Sequence, residues 1–259
     1  CKEQTTLVYT LFDEEECVVW DSREFLNSQR DIIVHTVKTL VSNPQLWDIC
    51  APKRYCLKVG LWREEMLLQE EAVWFGFRET AFDANKGFSL NGRHVKLKGV
   101  CEHHDLGCLG AAYNRTAMHR KFVMLQKMGV NAVRLSHNMP AADLMDLADE
   151  MGMLIVSEAF DMWERTKTDY DYGRFFKNWY QKDVASWIRR DRNHPSVIMW
   201  SVGNEIYDTH VDEGGQQIAR ALLLEVRKHD PKNHAPVTIG SNYMPWENAQ
   251  KCADIIETV

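Results

Sequence analysis

From about residue 88 onward, strand-like runs alternate with helix-like segments, and this alternation limits the fold more than any other feature of the chain. "HVKLKGV" (94–100) follows the turn Asn91-Gly92 and reads as a strand. Arg115–Met128 reads as a helix, with Met118, Phe122, Leu125 and Met128 three or four apart and Gly129 placed to end it. The pattern then repeats. "NAVRLSH" (131–137) leads to a helix over Ala141–Met151, stopped by Gly152, and "MLIVSEAF" (153–160) to a helix over Phe175–Arg190. "VIMWSVGNE" (197–205) leads to Gly215–Lys228, "PVTIGSN" (236–242) to Trp246–Cys252, and "DIIETV" (254–259) reads as a sixth strand. Alternation of this kind implies an α/β fold with a parallel sheet. A doubly wound sheet and part of a (β/α)₈ barrel both fit. The first strand is not followed by the glycine-rich turn G-x-G-x-x-G. Most strand ends instead carry chemically capable residues: His103-His104-Asp105, His137-Asn138, Glu158 and Asp161, Asn204-Glu205, Ser241-Asn242. Chemistry drawn from many strand ends marks the C-terminal face of a barrel.

Residues 1–84 differ in character. Thr6–Phe12, Val18–Trp20, Asp31–Leu40, Tyr55–Leu61 and Met66–Phe77 are short runs rich in β-branched and aromatic residues. "HTVKTLV" alternates polar and apolar positions, as a half-buried strand does. A small antiparallel β-sandwich over 1–84 is expected, with Asp83–Gly87 as the link to a second domain at 85–259. A formal net charge of −6 and the lack of a basic run argue against nucleic acid and anionic membrane as partners. No apolar stretch is long enough for a membrane-spanning helix. Seven Cys in irregular spacing, with no C-x-x-C, read as reduced thiols of a cytoplasmic protein. Nine Trp supply core, and flat faces of the kind on which sugars stack.

Four stretches carry a family resemblance. They are "LNGRHVKLKGVCEHHDLGCLGAA" from Leu90, "MGVNAVRLSHNMPA" from Met128, "IVSEAFDMW" from Ile155 and "RRDRNHPSVIMWSVGNEI" from Arg189. Together they resemble the family-two glycoside hydrolases, in particular the β-galactosidase branch. "WFGFRE" at Trp74–Glu79 resembles the segment that closes that family's immunoglobulin-like domain. The resemblance implies a retaining hydrolase on a (β/α)₈ TIM barrel, incomplete in this chain, preceded by an immunoglobulin-like β-sandwich. Retention needs two carboxyl groups about 5 Å apart, one as acid/base and one as nucleophile. By resemblance Glu205 is the acid/base, a role that calls for a carboxyl kept protonated by burial or by a like charge. Asn204 would bond the sugar 2-hydroxyl, and His103 and His137 would contact the sugar. Asp161 would accept from sugar hydroxyls and Trp163 would form a wall. Glu158 reads as a buried partner of Arg134.

The resemblance also marks departures. The family nucleophile belongs to the seventh barrel strand, beyond Val259. Glu257 is a carboxylate on the last strand present, and a salt bridge is the expected role for it. An open six-stranded barrel would expose two edges, so the piece alone is expected neither to stand as a free monomer nor to turn over substrate. Some relatives hold magnesium beside the acid/base through a Glu and a His. Asp161-Met162-Trp163-Glu164 does not reproduce that pattern, so neither magnesium nor sodium is supported and no cofactor is expected. His103 and His104, adjacent in a strand, would point to opposite faces rather than grip one ion. A carbohydrate is the expected partner, with a homo-oligomer for the full-length protein. Two rivals remain: a β-glucuronidase of the same family, and a non-catalytic carbohydrate-binding or scaffold protein.

Overall fold

A computed structural model describes residues 5–26, 32–249 and 251–257, and the chain divides into compact units at Arg78/Glu79. The first unit is antiparallel. Strands β1 (Thr5–Phe12), β2 (Val18–Leu26), β5 (Tyr55–Arg63) and β6 (Met66–Phe75) form one sheet in the order β2-β1-β5-β6. The short pair β3 (Trp47–Asp48) and β4 (Ala51–Pro52) lies beside Phe77, whose carbonyl accepts from the Trp47 amide. Tyr55, Phe75 and Phe77 pack ring against ring, which fixes one end of the sheet.

The strand expected at Asp31–Leu40 does not form. Asp31 lies outside the described residues, and Ile32–Leu40 joins no sheet among the described residues. The alternation there is nonetheless physical. His35, Val37, Thr39 and Val41, with Leu40, line an apolar cleft of about 440 Å³ with Tyr9, Trp20 and Leu57, while Ile32, Ile33 and Val34 stay exposed. The pattern set which side chains face the sheet but supplied no ladder partner for the backbone.

The second unit opens with a small antiparallel sheet, β7 (Thr80–Asp83), β8 (Gly87–Leu90) and β9 (Arg93–His94). Pairing of β7 with β8 groups residues 79–83 with the second compact unit. A parallel sheet follows in the order β10-β11-β12-β13-β14: Gly99–His103, Ala132–Ser136, Leu154–Glu158, Val197–Asn204 and Val237–Gly240. Sequential order and parallel register place all five carboxyl ends on one edge. Helices α1 (Arg115–Lys127), α2 (Ala142–Met151), α3 (Gly173–Asp191), α4 (Asp208–Val211), α5 (Glu213–His229) and α6 (Met244–Ala249) complete the unit.

Two strand expectations shift. The first barrel strand begins at Gly99, not His94, because the lead-in bonds elsewhere: the Val95 amide to Phe88, the Lys98 amide to the Asn131 side chain. The sixth strand is not formed over Asp254–Glu257, and Thr258 and Val259 lie outside the described residues. Glu257 makes a single backbone bond to Val237, and its carboxylate takes the Val237 amide and Arg227 instead of extending a ladder. The expected helix at Trp246–Cys252 is displaced to Met244–Ala249, with Gln250 outside the described residues.

Local sequence explains the helices. The Asn114 side chain caps α1 by accepting the Ala117 amide at 2.9 Å. Gly152 ends α2 at φ 67°, a left-handed position that glycine fills without cost. Met118 and Phe122 of α1 are buried, but Met128, expected on the same face, is the C-cap and 76% exposed. Trp187 and Trp200 meet edge to face at 5.3 Å between α3 and β13, and each indole N–H finds a buried acceptor, Ser157 and Asp230. Each such side chain contributes about 2–3 kcal/mol by burial.

A buried ion pair ties α2 to the approach to β13. His194 Nδ1 lies 2.6 Å from Asp149, which also accepts the Ser196 amide. Burial alone would drive the His194 proton off, but Asp149 more than offsets this and raises the pKa above the ordinary value. A raised folded-state pKa adds stability that is complete below the unfolded value of about 6.5 and is lost as pH rises through the folded value. The melting midpoint of the complete polypeptide is therefore expected to fall as pH rises above about 6.5, and to fall less in His194→Gln. Equal slopes in both proteins would remove the pair from the account.

Candidate active site

The carboxyl edge of the parallel sheet gathers the residues singled out in the sequence. β11 projects Arg134 inward, and three neighbours organise around it. Arg134 Nε donates to Glu158 at 2.8 Å, Nη2 donates to Asn204 Oδ1 at 2.8 Å, and Nη1 approaches Cys101 Sγ at 3.6 Å. Glu158 is fully buried and also accepts from Ser201 Oγ at 2.6 Å and from His137 Nδ1 at 2.8 Å. Its lone pairs are thereby occupied, which makes it a structural anion, as its pairing with Arg134 predicts. Partial burial disfavours the Arg134 charge, but Glu158 and Cys101 more than offset this and hold the guanidinium more firmly protonated than usual.

Asn204 is 8% exposed and its amide can face only one way. Oδ1 accepts from Arg134, which only donates, and Nδ2 donates to Asp161 Oδ1 at 2.8 Å, which only accepts. One N–H of Nδ2 remains for a ligand. A carboxylate only accepts, so His137 Nδ1 carries the proton shared with Glu158 and the opposite ring nitrogen is the one a ligand can meet. His103 is exposed and sits edge-on to His137, ring centres 5.0 Å apart. Asp161, half-buried, also accepts from Lys167 Nζ at 2.8 Å.

Glu205 follows directly after β13. Its side chain is exposed, so the burial expected of an acid/base is not supplied by the described residues. Its amide donates to the Gly240 carbonyl at 2.6 Å, and its backbone is left-handed at φ 48°. A Cβ at Gly240 would lie 2.5 Å from Arg134 Nη2, so a side chain there would require the guanidinium to shift.

Glu205, Asn204, His103, His137 and Asp161 therefore share one edge. Trp163 does not join them. It is fully buried, its indole N–H bonds the Val202 carbonyl at 2.8 Å, and it packs on Phe176. An indole with no exposed face cannot form a sugar-facing wall; it anchors the loop that carries Asp161. Glu257 stands at the start of β14, at the opposite end of that strand from Gly240, in the expected ion pair with Arg227. Sequence reasoning missed Ser201, Gly240 and Lys167. The first two lie within strands already singled out, but nothing in the sequence marks Lys167, six residues beyond Asp161 in a loop.

Among the described residues no cluster of three or more His, Cys, Asp and Glu is placed to hold a metal ion, and Glu164 is exposed. His104 lines, together with His103, a cavity of about 30 Å³ beside Tyr113, and burial holds its pKa down. Cys17, Cys50, Cys56, Cys101 and Cys108 are free thiols, Cys252 is buried, and Cys1 lies outside the described residues. No helix among the described residues is long and apolar enough to cross a membrane.

Comparison with known proteins shows the family. The chain is 45% identical over 211 residues to a β-galactosidase of Bacteroides ovatus, covering 81% of this chain and 25% of the relative. It is 29% identical over 234 residues to a β-glucuronidase of Bacteroides fragilis, covering 89% of this chain and 33% of the relative. A crystal structure of a glycosyl hydrolase family 2 member from Bacteroides cellulosilyticus superposes with a TM-score of 0.86 at 37% identity, covering 95% of this chain and 32% of that one. The chain thus spans about a quarter to a third of the length of these relatives. The five-stranded sheet is accordingly part of a TIM barrel, preceded by a β-sandwich domain. Residues 2–78 match the description "Glycosyl hydrolases family 2". Residues 84–259, well over half of the chain, match "Glycosyl hydrolases family 2, TIM barrel domain", and the chain belongs to that family.

Proposed function

We propose that the complete polypeptide is a retaining glycoside hydrolase of the β-galactosidase type, with Glu205 as acid/base. The observation that carries this reading is the Asn204-Glu205 pair at the carboxyl end of β13, its amide locked between Arg134 and Asp161. Glu205 gives its proton to the glycosidic oxygen as the bond to the anomeric carbon breaks. The electron pair leaves with the aglycone, and a second carboxylate, supplied from outside this chain, forms the new bond to that carbon. Glu205 then takes a proton from water, which displaces the enzyme carboxylate. The remaining Asn204 N–H meets the sugar 2-hydroxyl, a bond that strengthens as the anomeric carbon gains positive charge. His103, His137 and Asp161 hold the other hydroxyls. The N-terminal sheet belongs, in this reading, to an immunoglobulin-like domain.

The β-glucuronidase alternative has support in the Bacteroides fragilis relative. A sugar carboxylate needs cations, and Arg134 and Lys167 on this edge are already engaged with Glu158, Asn204 and Asp161. The complete polypeptide is expected to release chromophore from a chromogenic β-galactoside at least about tenfold faster, by kcat/KM, than from the matching β-glucuronide, a gap of about 1.4 kcal/mol. The reverse preference moves the glucuronidase ahead. Binding of either sugar without hydrolysis favours a non-catalytic carbohydrate-binding protein.

A further inference from the structure

We propose that Lys167 is a positioning residue for Glu205: its ammonium holds the carbonyl of the Asn204–Glu205 peptide and thereby sets the direction of the acid/base carboxyl. The inference rests on the hydrolase reading above.

The backbone of Glu205 is left-handed at φ 48°, a conformation that costs a residue with a side chain and persists where its surroundings hold it. The peptide unit before it is held at both ends. Its N–H donates to the Gly240 carbonyl at 2.6 Å, and its C=O, that of Asn204, accepts from Lys167 Nζ at 2.8 Å. The ladder between β13 and β14 slips between Ser201 and Asn204, so a side-chain donor takes up this carbonyl where the regular pairing breaks. Rotation about the Glu205 N–Cα bond is measured against this peptide plane. Fixing the plane fixes where the side chain leaves it.

Lys167 is itself preorganised. Asp171 accepts the amides of Lys167, Thr168 and Gly173 at 2.6, 2.9 and 2.9 Å and folds the loop into a tight turn. The Lys167 side chain is 15% exposed, and its ammonium makes a second bond, to Asp161 Oδ1, which also receives Asn204 Nδ2. One cation thus balances the carboxylate that orients the Asn204 amide and caps the carbonyl that orients Glu205. A neutral side chain of the same length would fill the space but do neither.

The test separates positioning of an acid from general support of the fold. An acid misplaced by a fraction of an ångström matters most when the departing oxygen is a poor leaving group. It matters little when the aglycone leaves unassisted. In the complete polypeptide, Lys167→Met is expected to lower kcat/KM for an alkyl β-galactoside about 100-fold, and for dinitrophenyl β-galactoside less than about fivefold. Should Lys167→Met fail to fold, Lys167→Leu, which likewise removes the charge and the N–H donors, carries the same comparison. Equal losses on both substrates, or no loss on the alkyl galactoside, would overturn the proposal. If the unsubstituted polypeptide cleaves neither substrate, the hydrolase reading fails first and this inference falls with it.

Discussion

Glu205→Gln in the complete polypeptide is expected to lower kcat/KM for an unactivated β-galactoside by about 10²–10⁴, the contribution general acid–base catalysis makes elsewhere. Glutamine keeps the shape and the exposed position of the side chain but has no proton to give to a departing oxygen. The amide bond of residue 205 to Gly240 belongs to the backbone and survives the change, so the fold around β13 should be retained. Kinetics over a series of aglycones checks the role, because the loss should shrink as the leaving group improves. In Glu205→Ala, azide should restore turnover by attacking the glycosyl-enzyme, giving a β-glycosyl azide. A variant that still hydrolyses an alkyl galactoside at the parent rate would move the acid/base away from Glu205.

Arg134→Met should have the largest effect on stability. The substitution leaves Glu158, fully buried, with hydrogen bonds from Ser201 and His137 but no cation. Breaking a buried pair by removing one partner costs about 3–5 kcal/mol. The Arg134 side chain is 26% exposed, so the lower end, about 3 kcal/mol, is expected. The same change frees Asn204 Oδ1 from its donor and lets the amide turn, so sugar binding should weaken together with stability. Urea unfolding of the complete polypeptide measures the first effect. Arg134→Met with Glu158→Gln should recover part of the loss, because the buried anion is gone as well. A midpoint unchanged by Arg134→Met would show that Glu158 is held without the guanidinium.

Much of this architecture is written locally. Asn114 announces the start of α1, and Gly152 closes α2 at a left-handed position. The inward parity of β11 put Arg134 on the side where Glu158 of β12 lies, and their pairing could be read from charge and register alone. The polar residues that end the parallel strands share one edge because every strand runs the same way.

Other features were decided only when the chain closed on itself. The 32–41 segment has the alternation of a strand, but alternation fixes side-chain facing and not the presence of a neighbour with free backbone groups. Family resemblance makes Trp163 a candidate wall, and it is core because Val202 and Phe176 arrive to cover it. Lys167 carries no motif; its meaning comes from the loop that Asp171 folds and from a carbonyl on β13, 37 residues away. The sequence by itself determined periodicity, caps and the parity of each strand, because these depend on residues within a turn or two of one another. Beyond the Arg134–Glu158 pair, which groups meet across the carboxyl edge was set by tertiary structure, because those contacts form only after long loops have closed and neighbouring strands have chosen their register.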